Sequence, residues 1–142
     1  MKKIFIVLLL NTVIACTGCA QKLDASKVPA PVKASFTKQY PGVIAKWEME
    51  DGKYEAGFKQ QGHEISVLYD ASGNMTESEM EIKVAELPAA IVDYVKSHRN
   101  GAPVKEAAKI IKTNGEINYE AVVKGMALIF DAKGNFLKEE KD

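Results

Sequence analysis

Tyr54-Glu55-Ala56, an apolar run ending at Tyr69, and then Asp70-Ala71-Ser72-Gly73-Asn74 form the stretch that decides the fold, because the chain repeats it. The second copy is Tyr119-Glu120-Ala121, an apolar run ending at Phe130, and Asp131-Ala132-Lys133-Gly134-Asn135. Upstream of each copy lies a proline-led stretch with helical spacing. In the first, Val28, Val32, Phe36 and Tyr40 recur every four residues and make one apolar stripe, while Pro29 and Pro31 suit an opening turn, where a missing backbone donor costs little. Pro41-Gly42 ends that helix. In the second, Pro88 stands near the start, Leu87, Ile91 and Val95 form the stripe, and Asn100-Gly101 is the stop. The chain therefore reads as two units, residues 28–82 and 83–142.

Hairpin arithmetic tests the strands. With Asp51-Gly52 as a two-residue turn, Met49 faces Tyr54, Trp47 faces Ala56 and Ala45 faces Phe58, with Glu50 beside Lys53. With Gln61-Gly62 as the next turn, Phe58 meets Ile65, Ala56 meets Val67, Tyr54 meets Tyr69, and Lys59 meets Glu64 on the other face. A one-residue slip would break all these pairs together. In the second unit, turns at Asn114-Gly115 and Lys124-Gly125 place Ile110 opposite Tyr119, Val123 opposite Met126, Ala121 opposite Leu128 and Tyr119 opposite Phe130. Pro103 to Lys112 has the composition of a helix, but the repeat requires a strand there. More polar strands follow each Gly-Asn turn, near Met75 to Met80 and Phe136 to Glu139. The expected class is α+β: two repeats of a helix plus an antiparallel meander, with both helices on one face of a shared sheet.

The N-terminus carries an address. Lys2 and Lys3 precede an apolar run from Ile4 to Leu10 that continues through Val13-Ile14-Ala15, the layout of a secretory signal over residues 1–20. That run is shorter than the roughly 20 residues of a membrane-spanning helix. Val13-Ile14-Ala15-Cys16 resembles a bacterial lipobox, and Cys16-Thr17-Gly18-Cys19 is a poorer second version, so Cys16 and Cys19 are the lipidation candidates. Cleavage after Ala20 is the rival reading. Residues 21–27 read as a polar tether. The expected location is the periplasm or an outer-membrane lipoprotein, with membrane contact only through such an anchor. Removing Lys2 and Lys3 leaves 17 basic against 19 acidic residues, a net charge of about −2. No basic footprint of a nucleic-acid binder is present. No cysteine follows Ala20, which excludes a disulfide, a thiol nucleophile and zinc thiolates from the secreted part.

Chemistry is sparse. His63 beside a turn and His98 at a helix end have no second His or Cys at ligand spacing, so no metal and no cofactor is expected. No nucleophile-elbow pattern surrounds a serine. Asp70 to Asn74 and Asp131 to Asn135 read as turns, since a calcium loop needs more oxygen ligands and a bidentate glutamate. Glu77, Glu79 and Glu81 read as a solvated strand edge that discourages edge pairing. Trp47, Tyr54, Phe58, Tyr69, Tyr119 and Phe130 fall on the apolar face, where burial is the default. Trp47, Tyr54, Tyr69 and Tyr119 become candidate partner anchors wherever the helices leave them uncovered. The other face, with Lys46, Glu48, Lys53, Glu55, Lys59 and Glu64, is mixed in charge and offers Lys46 and Lys59 for electrostatic docking.

Val28-Pro29 and Leu87-Pro88 at the helix starts, Tyr40-Pro41-Gly42, Trp47, Asp51-Gly52, Tyr54-Glu55-Ala56 and the paired Asp-to-Gly turns together resemble the PepSY-like family of secreted bacterial domains, relatives of the β-lactamase-inhibitor-protein fold. The resemblance spans nearly the whole secreted chain. It departs at Arg99-Asn100-Gly101, where an aromatic and a proline are expected. It implies modules that hold or restrain envelope enzymes. The functional expectation is a non-enzymatic envelope module that binds another protein, as an inhibitor or regulator, with small-ligand or peptide capture between sheet and helices as the alternative.

Overall fold

The computed structural model describes residues 21–141. One antiparallel sheet runs through them in strict chain order: β1 (Gln21–Leu23), β2 (Lys46–Glu50), β3 (Lys53–Gln60), β4 (His63–Tyr69), β5 (Met75–Ile82), β6 (Glu106–Lys112), β7 (Ile117–Val123), β8 (Met126–Asp131) and β9 (Phe136–Lys141). Helix α1 (Ala30–Gln39) enters between β1 and β2, and α2 (Ala89–His98) between β5 and β6. Both helices start just after a proline and are preceded by a 3-10 turn. In the first turn Asp24 accepts from the Ser26 N–H at 2.8 Å, and in the second Glu86 accepts from the Lys83 N–H at 2.8 Å.

Two cores hold the helices to the sheet. Val28, Val32 and Phe36 pack on Trp47, Ala56, Phe58, Val67 and Tyr69. Leu87, Ile91 and Val95 pack on Ala107, Ala121, Val123, Leu128 and Phe130. The four-residue apolar spacing thus points each helix at the sheet, as expected. Phe36 meets Trp47 and Phe58 edge-on at centroid distances of 5.4 and 5.5 Å. Arg99-Asn100-Gly101 still forms a turn: Asn100 and Gly101 have φ of 53° and 69°, and the Gly101 N–H reaches back to the Lys96 carbonyl at 3.0 Å.

The register of β2, β3 and β4 is the one that hairpin arithmetic requires, including Trp47 opposite Ala56, Tyr54 opposite Tyr69 and Lys59 opposite Glu64. β7 and β8 also pair as expected. Between β6 and β7 the pairing is one residue off: Lys109, not Ile110, stands opposite Tyr119. Thr113, Asn114 and Gly115 together make the turn, held by the Lys112 N–H to the Glu116 carbonyl at 2.9 Å, and the extra residue sends Ile110 to the other face. Pro103 to Lys112 does yield a strand, since sheet pairing on both sides outweighs its helical composition.

Two other expectations change. Gln21 to Lys27 is no free tether: Gln21–Leu23 pairs with β2, and Leu23 packs on the first core. The acidic strand β5 is no edge. It is the central strand of nine, paired to β4 and β6.

The sheet is strongly curled. Glu50 on β2 and Glu140 on β9 stand seven strands apart, about 34 Å along a flat sheet, yet each lies within the other's electrostatic reach. Lys138 on β9 likewise feels Glu77 and Asp51. The curl closes toward the side that carries no helix, and there Ala108, Ile110, Val122, Ala127 and Ile129 are buried without helical cover.

Candidate functional site

Alternation along the strands assigns every side chain to one face or the other. The helix-free face of β3 to β7 carries Glu55, Gly57, Glu64, Ser66, Glu79, Glu81, Glu106, Ala108 and Glu120, and these line a groove of about 460 Å³. A second groove of about 410 Å³ continues it over β2 to β4, adding Ile44, Lys46, Glu48 and Lys59. Glu55, Gly57 and Glu64 belong to both. The helix-free side is thus a trough. The mixed-charge face read from the sequence is rolled up by the accumulated twist of nine strands.

Electrostatics distinguish the middle of the trough from its rim. Glu79, on the central strand, is pushed up to about 8, first by burial and then by the charges of Glu120, Glu55, Glu77 and Glu50. Glu55 is also raised, again mainly by burial, against an opposing hydrogen bond from Ser66. At the rim, Lys59 pairs with Glu64 at 3.1 Å, with both side chains more than 60% exposed. Such a pair contributes little stability.

The sequence-derived candidates separate by face. Lys46 and Lys59 come together in the second groove. Trp47 and Tyr69, 8% and 0% exposed, lie in the first core, and the Tyr69 hydroxyl donates to Gln39 Oε1 at 2.7 Å. Tyr54 and Tyr119 are half-buried against the first and second cores. Trp47 and Tyr69 are therefore core residues beneath α1, while Tyr54 and Tyr119 pack against the two cores on the helix side and stay partly exposed. Cys16 and Cys19 lie outside the described residues. His63 Nδ1 donates to the Glu81 carbonyl at 3.0 Å, and His98 stacks on Tyr94 while donating to its carbonyl at 3.0 Å. Asp70 accepts from the Ser72 and Asn74 N–H groups and the Asn74 amide, and Asp131 does the same with Lys133 and Asn135. Their carboxylates are used in closing the turns. Among the described residues, no three His, Cys, Asp or Glu side chains converge as metal ligands, and no helix is long and apolar enough to cross a membrane.

Against known families, the chain matches the PepSY-like family, described as "Putative beta-lactamase-inhibitor-like, PepSY-like", over residues 16–77 and 52–138. The chain belongs to the PepSY-like family. Its α+β fold is shared by solved structures from Bacteroides, one of them of a BLIP-like protein. A "putative periplasmic" protein of Bacteroides eggerthii is 18% identical with a TM-score of 0.66, over 80% of this chain and 88% of that one. A DUF2874 family protein of Bacteroides uniformis gives 19% and 0.65, over 80% and 88%. A BLIP-like protein of Bacteroides fragilis gives 25% and 0.58, over 80% and 86%. No curated protein matches the chain.

On this PepSY-like frame the trough residues that sequence reasoning missed are Ile44, Glu79, Glu81, Glu106 and Glu120. Part of their signal was present. Glu77, Glu79 and Glu81 alternate along one strand and must share a face. Glu55 and Glu120 occupy the same place in the two Tyr-Glu-Ala triplets, and the sheet sets them on either side of β5.

Proposed function

We propose that this PepSY-like chain is a secreted, non-enzymatic module of the cell envelope that binds another protein through the helix-free trough, and so inhibits or regulates an envelope enzyme. The observation that carries this reading is the asymmetry of the sheet: both helices pack on one face, and the other is left as a groove of partly exposed polar side chains with the exposed Ile44 at its end. Two further supports are the family match and the fold shared with a BLIP-like protein. In this reading residues 1–20 are a signal, Cys16 or Cys19 takes a lipid if the signal is of the lipoprotein type, and the protein works in the periplasm or on the outer membrane. The two helix-plus-four-strand halves, 28–82 and 83–142, are tandem PepSY-like repeats that share one sheet, and each half contributes one wall of the trough. Lys46 and Lys59 act at the rim.

The experiment is affinity capture from native envelope extract with the secreted form, beside Lys46→Glu with Lys59→Glu. A saturable partner held by the wild type and lost by the folded double variant is the expected result. Equal retention by both forms, or no saturable partner, would move the docking surface elsewhere or end the binding-module reading.

A further inference from the structure

We propose that the border of the molecule formed by β1 and the start of α1 lies against a membrane surface of anionic phospholipid headgroups, held there by Lys22, Lys27 and Lys33. This rests on the envelope location proposed above and concerns a surface apart from the trough.

Charge is unevenly spread along the secreted chain. Residues 21–47 hold five lysines and one acidic residue, Asp24, whereas residues 48–142 hold 12 basic against 18 acidic residues. The small overall charge thus hides a basic opening stretch, at about +4, joined to an acidic remainder, at about −6.

The fold gathers part of that basic excess at one border. β1 is the terminal strand of the sheet and carries Lys22. Lys27 is the last residue of the 3-10 turn that leads from β1 toward α1. Lys33, in the first turn of α1, donates to the Ala25 carbonyl of that 3-10 turn at 3.2 Å. All three lysines are exposed, and none makes an ion pair among the described residues. The nearby acids leave them unmatched. Asp24 accepts from the Ser26 N–H at 2.8 Å, and Glu48, in register with Lys22, forms no ion pair. By contrast, Lys59, Lys112 and Lys138 on the sheet have glutamate partners at 3.1, 2.8 and 2.8 Å.

Chain length brings this border to a bilayer. β1 begins at Gln21, two residues after Cys19 and five after Cys16. An extended chain spans at most about 3.6 Å per residue, so a lipid on either cysteine holds the start of β1 within about 7 or 18 Å of the headgroups. A free tether over residues 21–27 would add about 25 Å and let the domain turn freely. Pairing of β1 with β2 removes that slack. The shorter distance is within a Debye length of about 8 Å, where each lysine is attracted to anionic lipid and the acidic remainder is pushed away. The field therefore orients the domain with its basic border inward. Every basic residue of 21–47 is a lysine, a point charge that suits a fluid array of phosphates and needs no fixed geometry.

The test is flotation of the unlipidated secreted form, residues 21–142, which contains the whole described fold. The vesicles are phosphatidylcholine alone, or phosphatidylcholine with an equal share of phosphatidylglycerol, at low ionic strength. Lys22→Gln with Lys27→Gln and Lys33→Gln removes the border charge. Lys96→Gln with Lys105→Gln and Lys124→Gln removes the same charge from exposed positions of the second half and is the control. The wild type should float with the anionic vesicles alone and be released by salt. The border variant should partition at least about ten-fold less, and the control should match the wild type. Circular dichroism confirms that the variants are folded. No flotation with anionic vesicles, equal flotation of the border variant, an equal loss in the control, or equal binding to neutral vesicles would overturn the inference. Incorporation of labelled palmitate into the full chain, lost in Cys16→Ser or Cys19→Ser, separately tests the anchor, as envelope capture tests the trough. Failure of either one beside border-dependent flotation overturns that part of the proposed function alone. A labelled chain with a captured partner but no border-dependent flotation overturns only this inference.

Discussion

The two faces of the sheet are built from alternate residues of the same strands, yet they obey opposite rules. Trp47, Ala56, Val67 and Leu128 point toward the helices and are buried in close-packed cores. Their strand neighbours Glu48, Glu55, Ser66 and Ile129 point the other way, into or beside the trough. The helix side is arranged for stability, because most apolar side chains there pack into one of the two cores. The trough side sets carboxylates against one another at a cost to folding, the usual mark of a surface kept for a ligand.

Substitutions break this comparison in order of size. Phe36→Ala on the helix side removes the ring that touches Tyr40, Trp47 and Phe58, and should destabilise by about 3–5 kcal/mol in urea unfolding. Gly73→Ala should cost about 2–4 kcal/mol, since its φ is 85° and a Cβ would stand 2.6 Å from the Pro31 carbonyl oxygen, locking a turn against α1. Gly62→Ala, with φ of 90° but open space around it, should cost only about 1 kcal/mol in the same assay. The difference between the two glycines measures how tightly the Asp70 turn is pressed onto the helix.

On the trough side the sign reverses. Glu79 titrates near 8 in the fold against an ordinary 4.5, so between those values the folded protein holds a proton that the unfolded chain has lost. Stability from this residue therefore falls as pH rises from about 4.5 to about 8 and is level above that. Glu79→Gln should match the wild type near pH 5 and exceed it by about 1–3 kcal/mol near pH 8.5. Thermal unfolding at the two pH values checks this, and a variant less stable than wild type at both would mean that Glu79 makes a structural bond. Lys59→Ala, at the exposed rim, should shift stability by less than about 0.5 kcal/mol at low salt and by nothing measurable at high salt.

Much of this architecture is legible in the order of residues. Alternation and the Asp-Gly and Gln-Gly turns specify the register from β2 to β4 residue by residue, because a two-residue hairpin leaves no freedom in pairing. The same reasoning slips by one between β6 and β7, where Thr113 joins the turn and the Asn-Gly signal no longer determines its length. The carboxylates of β5 read as an edge because strand order is a tertiary fact, and a polar strand in mid-sheet looks the same in sequence as one at its border.

The sequence by itself determined which side chains share a face from β2 to β4 and from β7 to β8, where the helices begin and stop, and where the Asp70 and Asp131 turns fall, since all of these depend on residues a few positions apart. The tertiary structure alone decided that the polar face would be a trough, that Glu50 and Glu140 would come within reach of one another, and that Glu79 would hold its proton near neutrality. Those outcomes arise from twist summed over nine strands and from the loss of water in the resulting concavity, and neither is a property of any short stretch of chain.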